Sequence, residues 1–299
     1  MPELPDIVLY LEALRPRIVG QRVDGVRLAS PFLLRSIEPA LATIEGRTVL
    51  DLHRLGKRIV IEGEGELFLV FHLMIAGRFR WKPANTRIPG KVGLMALDFA
   101  TGTLLLTEAG SRRQASLHVI HGRDALAGHN PGGLEVLEAD FAAFDAVLRS
   151  ENHTLKRALT DPRLFSGIGN AYSDEILHAA PLSPFKQTHA LSEDEARRLF
   201  QSTRLTLSVW IERLRQQARG EFPDKVTAFH DEMAVHGRYG KPCPDCGTPV
   251  QRVVYAANEA NYCAACQTGG RLLADRSLSR LLRDDWPRTL EELERRKGG

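Results

Sequence analysis

Cysteine, methionine and tryptophan are scarce in this 299-residue chain, at four, four and three residues. Four cysteines are too few for the disulfide framework of a small secreted fold. No uncharged apolar run reaches the roughly eighteen residues that a membrane-crossing helix requires, so no membrane is expected among its partners. The opening, Met1-Pro-Glu-Leu-Pro-Asp6, is acidic and broken by proline, unlike a signal peptide. Neither sign of charge dominates: 40 Lys+Arg against 37 Asp+Glu leave a net +3, which by itself indicates no polyanionic partner. With 43% hydrophobic and 26% charged residues, the composition excludes disordered and fibrous classes. The length suits two modest domains or one large one. Reduced cysteines and the lack of an export signal lead to the expectation of a cytoplasmic protein.

The few cysteines are clustered. Cys243-Pro-Asp-Cys246 and Cys263-Ala-Ala-Cys266 are two CxxC pairs separated by sixteen residues. That spacing predicts a tetrahedral all-thiolate site for one Zn2+. With all four positions filled by sulfur, the zinc is structural. The β-prone run Thr248–Tyr255, a turn at Ala257-Asn-Glu259 and then Asn261-Tyr262 predict a β-hairpin with the metal at its base. Such a hairpin is too small to have its own core, so the metal is expected to supply its folding energy. From His236 to Arg283 seven basic residues face three acidic ones, Asp245, Glu259 and Asp275. A basic ribbon of this kind suits nucleic-acid phosphates.

Up to about residue 125 the sequence reads as short strands: Arg22–Arg27, Thr48–Arg54, Arg58–Glu62, Glu66–His72, Phe79–Trp81, Gly93–Asp98 and Thr103–Thr107. Regular punctuation by turn residues predicts a β-sandwich or barrel. Ahead of them Ile7, Tyr10, Leu11 and Leu14 predict an amphipathic leading helix over 5–18. Gly128 to Ala139 reads as a linker, after which the period becomes helical: Phe141–Arg149, Leu155–Leu159, Ala171–Ala179 and Glu193–Arg215. Ser192 and Glu195 predict a capping box on the last of these. The expected fold is therefore α+β and multidomain. It comprises an N-terminal β-sandwich over 1–127, a helical domain over 128–235, a zinc-ribbon hairpin over 236–268 and a charged tail over 269–299.

Two places carry chemistry of their own. Phe165-Ser-Gly-Ile-Gly-Asn-Ala171 puts two glycines and Asn170 between helices, where backbone amides at a helix start can receive a phosphate oxygen. At the N-terminus, Pro2 is a small penultimate residue whose exposure by removal of Met1 gives a secondary amine next to the Glu3 carboxylate. An α-amino group, with a pKa near ~8, is about one-tenth neutral at pH ~7 and so available as a nucleophile. Attack on an aldehyde-like carbon gives an iminium, an electron sink that splits one hard substitution into two easier steps. Glu3 is placed to move protons during that chemistry.

The sequence resembles the formamidopyrimidine-DNA glycosylase / endonuclease VIII family through five motifs in order: Met1–Asp6, Leu55-Gly-Lys-Arg58, His72-Leu-Met-Ile-Ala-Gly-Arg78, Gly167–Glu175 and the four-cysteine ribbon. Together they extend to about residue 268. The resemblance implies a monomeric, bifunctional base-excision enzyme acting on double-stranded DNA that contains a damaged base or an abasic site. In it Pro2 would attack C1′, Glu3 would assist sugar opening and Lys57 would hold a phosphate. Asn170 and a helix–two-turn–helix would grip the backbone, and the zinc hairpin would do so as well. Met74 would be the apolar wedge that fills the hole left by an extruded nucleotide.

Four departures from the family pattern bear on lesion choice. Asp6 stands where Glu is usual. Ser111-Arg-Arg-Gln-Ala115 lacks the phenylalanine of the void-filling loop, though Arg112 or Arg113 could face the orphaned base. Asn258 aligns with a phosphate-binding arginine, and Gly220–Ala228 does not resemble the loop that caps 8-oxoguanine. These lead to the expectation of weak activity on 8-oxoguanine and stronger activity on abasic sites, ring-opened purines or oxidised pyrimidines. The other readings are a damage-binding protein without efficient base removal and a zinc-ribbon module of transcription or translation. The second leaves the N-terminal motif unexplained.

Overall fold

The computed structural model describes residues 1–110, 112–223, 226, 229–255, 258–274 and 287–297. Ser111, most of Gly220–Ala228 beyond Pro223, Ala257 of the expected turn and the basic Arg276, Arg280 and Arg283 lie outside the described residues. The chain forms two compact units: Met1–Gly133 with Val209–Ala228, and Leu134–Ser208 with Phe229–Gly299.

Unit 1 opens with α1 (Leu4–Ile18), which buries Ile7, Tyr10, Leu14 and Ile18 at helical spacing. Eight strands follow: β1 (Gly25–Leu28), β2 (Val49–Leu55), β3 (Arg58–Gly63), β4 (Leu67–His72), β5 (Gly77–Lys82), β6 (Gly93–Phe99), β7 (Gly102–Glu108) and β8 (Ser116–His121). They make two antiparallel four-stranded sheets of order β1-β6-β7-β5 and β2-β3-β4-β8. One core holds inward residues of both, among them Ile59, Ile61, Leu69, Phe71, Leu117 and Val119 from one sheet and Phe79, Leu97, Leu104 and Leu106 from the other. This is the expected β-sandwich, with Tyr10 of α1 set edge-on to Phe79 at 5.7 Å. The second face of β3 and β4 is also covered: Val60, Phe68, Val70 and Ile120 pack under Leu55 and Leu126, the latter from α2 (Arg123–Ala127). Burial on both faces explains why these strands read as nearly continuous apolar runs rather than alternating ones. Strand β8, which lies outside the strand runs read from sequence, carries two histidines and a serine, yet Leu117 and Val119 still reach the core.

Unit 2 contains α3 (Phe141–Arg149), α4 (Leu155–Thr160), α5 (Asn170–Ala179) and the first part of α6 (Glu193–Ala218). Asp140 caps α3 by accepting the Ala143 N–H at 2.8 Å. The expected box at the start of α6 is present, Ser192 N–H donating to Glu195 at 2.9 Å and Glu195 N–H to Ser192 Oγ at 3.2 Å. The second half of the expected linker is tied down, because Leu134 N–H donates to Leu164 and Ser166 N–H to Leu134, each at 2.9 Å. The unit also holds the hairpin of β9 (Gln251–Tyr255) and β10 (Asn258–Tyr262), then α7 (Ala264–Thr268) and α8 (Leu290–Lys297).

Candidate active site and metal centre

The chain start is buried. Pro2, Glu3 and Asp6 are all inaccessible, Glu3 at 2% and Asp6 at 1% exposure. Proline within the first turn suits a helix start, where its missing N–H costs no bond. The Glu3 N–H donates to Asp6 Oδ2 at 2.8 Å as half of a capping box. Asp6 therefore fixes the backbone that carries Glu3, and the aspartate side chain reaches because its partner lies only three residues back. Burial pushes the Asp6 carboxyl up to about 7, and the nearby Glu3 charge acts in the same direction. The α-amino group ahead of Pro2 is held below its ordinary value by burial, against the charge of Glu3. The other charges acting on that amine are Arg78, Asp6 and Lys57, so the structure gathers Pro2, Glu3, Asp6, Lys57 and Arg78 around one point.

Lys57 sits in the two-residue turn joining β2 to β3, half-buried, with Leu55 paired to Arg58. Gly56 precedes it with φ of 62°, the left-handed conformation that such a tight hairpin turn needs at its first central position. Beside the turn lie three histidines. His72 is driven down to about 4 by burial, with the charges of Arg58, Lys57 and His118 adding to it. His118 and His129, with rings 4.9 Å apart, are also held low by burial.

The turn between β4 and β5 carries Met74, the apolar wedge expected from the sequence, and its neighbour Ile75. Met74 is half-buried and has φ of 52°, whereas Ile75 is 63% exposed. The turn closes through Gly77 N–H to the Leu73 carbonyl at 2.9 Å, and a Cβ on Gly77 would lie 2.3 Å from that same oxygen. Arg78 braces the turn by donating to Ile75 O at 3.1 Å and Gly77 O at 2.6 Å. In the 109–115 loop, the buried Glu108 accepts the N–H groups of Gln114 and Ala115 at 2.9 to 3.3 Å. Arg113 donates to the Lys91 carbonyl at 2.7 Å, while Arg112 is exposed.

In unit 2 Asn170 is the first residue of α5, half-buried, as its sequence position predicted. Its carbonyl accepts Lys156 Nζ at 2.6 Å, and Lys156 is almost wholly buried against Asp174 at 2.5 Å. Asp174 also meets His236 Nδ1 at 2.8 Å and Asn261 Nδ2 at 3.1 Å. Glu175 accepts three successive amides, Ala234 to His236, at 2.7 to 2.9 Å. These buried polar groups bond to one another, leaving Asn261 Oδ1 without a partner, and tie the Asn170 turn to the hairpin strand. Nothing in the sequence marks this network, although Asp174 and Glu175 stand within the Gly167–Glu175 motif. Asn258 opens β10 opposite Tyr255.

The four cysteines are free and converge, their Sγ atoms all within 4.8 Å of one another. The distances 3.4 Å for Cys246–Cys263 and 4.0 Å for Cys243–Cys266 bracket the edge of about 3.8 Å expected for sulfurs around tetrahedral zinc. The donor set and spacing thus fit one structural Zn2+. The turn after the first pair closes through Gly247 N–H to Cys243 O at 2.9 Å. His178, unremarked in the sequence, puts Nε2 3.3 Å from Cys243 Sγ in a buried setting, an outer-shell contact of the kind that orients a ligand.

The chain matches three domains of known proteins in succession. The formamidopyrimidine-DNA glycosylase N-terminal domain matches residues 1–116, the H2TH domain of the same enzyme residues 133–219, and the zinc finger found in FPG and IleRS residues 240–269. The chain is 34% identical over 280 residues to the formamidopyrimidine-DNA glycosylase of Thermus thermophilus, covering 90% of this chain and 100% of the relative. It is 31% identical to that of Heliobacterium modesticaldum, covering 89% and 100%. The crystal structure of the Thermus thermophilus MutM (Fpg) protein superposes with a TM-score of 0.74 at 34% identity, over 89% of this chain and 98% of the other. Lactococcus lactis Fpg in complex with Fapy-dG-containing DNA gives 0.79 at 26% identity, over 89% and 100%.

Proposed function

The chain belongs to the formamidopyrimidine-DNA glycosylase family, and from that premise we propose that it is a bifunctional DNA glycosylase and AP lyase of base-excision repair with Pro2 as nucleophile. The observation that carries the proposal is the buried cluster at the chain start, where Glu3 and Asp6 surround an amine depressed by burial. After Met1 is removed, the Pro2 nitrogen takes over that environment, in which burial favours the neutral, nucleophilic amine. Its lone pair attacks C1′ of the damaged deoxynucleotide, the glycosidic bond breaks, and the base leaves with the bonding pair and a proton. Glu3 passes a proton to the ring oxygen as the sugar opens to the iminium. The iminium acidifies the neighbouring carbon, so the 3′-phosphate and then the 5′-phosphate are eliminated, and water releases Pro2.

Lys57 holds a phosphate at the lesion, and Asn170 with the amides at the start of α5 holds the backbone. Met74 takes the wedge role, with the exposed Ile75 beside it in the same turn, and Arg112 faces the orphaned base. The zinc hairpin supports a further backbone contact through the strand that Asn258 begins. The substrate is damaged double-stranded DNA, met in the cytoplasm, with abasic sites, ring-opened purines or oxidised pyrimidines preferred to 8-oxoguanine.

Incubation with duplexes carrying one lesion each tests this reading. Abasic-site duplex is expected to be cut to products bearing phosphates on both sides of the gap, with 8-oxoguanine opposite cytosine processed more slowly. Glu3→Gln is expected to lose base excision while retaining more of the cleavage at preformed abasic sites. Binding of abasic DNA without any strand cleavage would leave a damage-binding protein instead.

A further inference from the structure

The zinc hairpin has two faces, and they meet different partners. Directly paired residues of an antiparallel ladder share a face, so Gln251, Val253, Ala260 and Tyr262 lie on one side and Arg252, Val254, Glu259 and Asn261 on the other. Asn261 points its side chain at Asp174 of α5. On the opposite face Val253 and Tyr262 are 4% and 1% exposed. Their cover is a cluster in which Val253, Tyr262, Ala264 and Leu272 pack with Phe185, Leu273, Leu290 and Leu293. Four of these eight residues belong to the chain after residue 269, where the zinc-finger match ends.

Hydrogen bonds fix this tail as firmly as its apolar contacts do. Leu273 N–H donates to the buried Tyr262 hydroxyl at 2.7 Å, and Leu272 N–H donates to the Arg288 carbonyl at 2.9 Å. Arg271 bridges to Thr289 in antiparallel fashion, so the stretch that leaves the hairpin is paired with the one that returns to it. Helix α8 is capped where it begins, Arg288 N–H donating to Glu292 at 2.7 Å and Glu292 N–H to Thr289 Oγ1 at 3.3 Å. That capping turns Leu290 and Leu293 towards the cluster at helical spacing.

We infer that the tail, residues 271–274 with 287–297, is a built-in clasp that gives the zinc hairpin a second, metal-independent core. A bare ribbon of this size depends on its metal. Here the metal side holds Val235, Cys243, Val250 and Cys263, and the far side holds a separate apolar cluster that does not include the metal ligands. Burial of several large side chains there keeps the strands paired when the thiolates lose zinc, and slows that loss by holding Cys263 and Cys266 beside a fixed strand end.

The test uses the full zinc-loaded chain and the full-length double variant Leu290→Asp/Leu293→Asp, with a chain ending at Gly270 as a third sample. Zinc transfer to a chromogenic chelator and amide hydrogen exchange are followed together, with β3 and β4 as the internal reference for an intact fold. The unaltered chain is expected to keep β9 and β10 amides protected after its zinc has left. The double variant and the shortened chain are expected to release zinc about tenfold faster or more, the loss of buried apolar area being large enough for that, and to lose hairpin protection with the metal. Equal release rates, or an unaltered chain whose hairpin opens as soon as zinc departs, would overturn the clasp. Neither readout involves DNA, so the result is independent of the proposed activity.

Discussion

Met74, the wedge expected from the sequence, and its neighbour Ile75 differ in exposure, Met74 being half-buried and Ile75 63% exposed. A left-handed φ of 52° at Met74 costs about 1–2 kcal/mol for a side chain of its type. Met74→Gly is accordingly expected to leave the melting temperature unchanged or higher, whereas Ile75→Ala is expected to weaken binding to a damaged duplex with little effect on melting. Asp6 shows a limit of legibility. Its difference from the usual Glu was plain in the sequence, but its partner, the Glu3 amide, depends on where α1 begins. The folded carboxyl titrates near 7, above its ordinary 3.8. Its contribution to stability is therefore complete below about 3.8 and is lost progressively as pH rises through about 7. Asp6→Asn keeps an acceptor for the amide and cannot ionise, so its advantage in melting temperature over the parent should be small at pH ~5 and grow towards pH ~8. His72 runs the other way. Its folded value near 4 lies below the ordinary 6.5, so the unfolded chain takes up the proton first, and stability falls as pH drops through that interval. His72→Asn should flatten that acid-side loss, as thermal melts between the two values would measure.

At the scale of elements, periodicity located what local patterning controls. Helix α1, helix α3 and the capped start of α6 fall where the apolar spacing and Ser192/Glu195 put them. Strands β2 to β7 begin and end within about two residues of the expected runs. Strand β8 was not legible because its polar positions face the histidine side, and short α2 has no buried residue to mark it. The network around Asp174 was not legible either, since Lys156, Asp174, His236 and Asn261 are spread over more than a hundred residues and meet only in the fold. Removing one member of a buried ion pair leaves its partner uncompensated. Asp174→Ala is thus expected to cost roughly 3–5 kcal/mol in denaturant unfolding, more than an exposed pair such as Arg197–Glu193 would.

For the molecule as a whole, net charge was the least informative quantity and motif order the most informative. A total of +3 conceals Lys57, Arg112 and the hairpin arginines, which lie close together neither in sequence nor in sign-averaged composition. DNA affinity is expected to fall steeply with salt in spite of that small total, and Lys57→Ala to reduce the slope of log affinity against log salt by about one. The cysteine ribbon was readable because metal geometry restricts spacing. The tail was not, because its role depends on which hairpin face needs a cover.

The central claim is that a prolyl amine, freed by loss of Met1, forms a covalent bond to the sugar. After mass spectrometry has established that Met1 is absent, the protein is mixed with an abasic-site duplex and sodium borohydride, and the adduct is resolved on a denaturing gel. The account predicts a stable protein–DNA adduct, attached at Pro2 by peptide mapping and lost in Pro2→Gly. Full binding of the same duplex with no adduct, or an adduct mapped to a lysine and undiminished in Pro2→Gly, would contradict it.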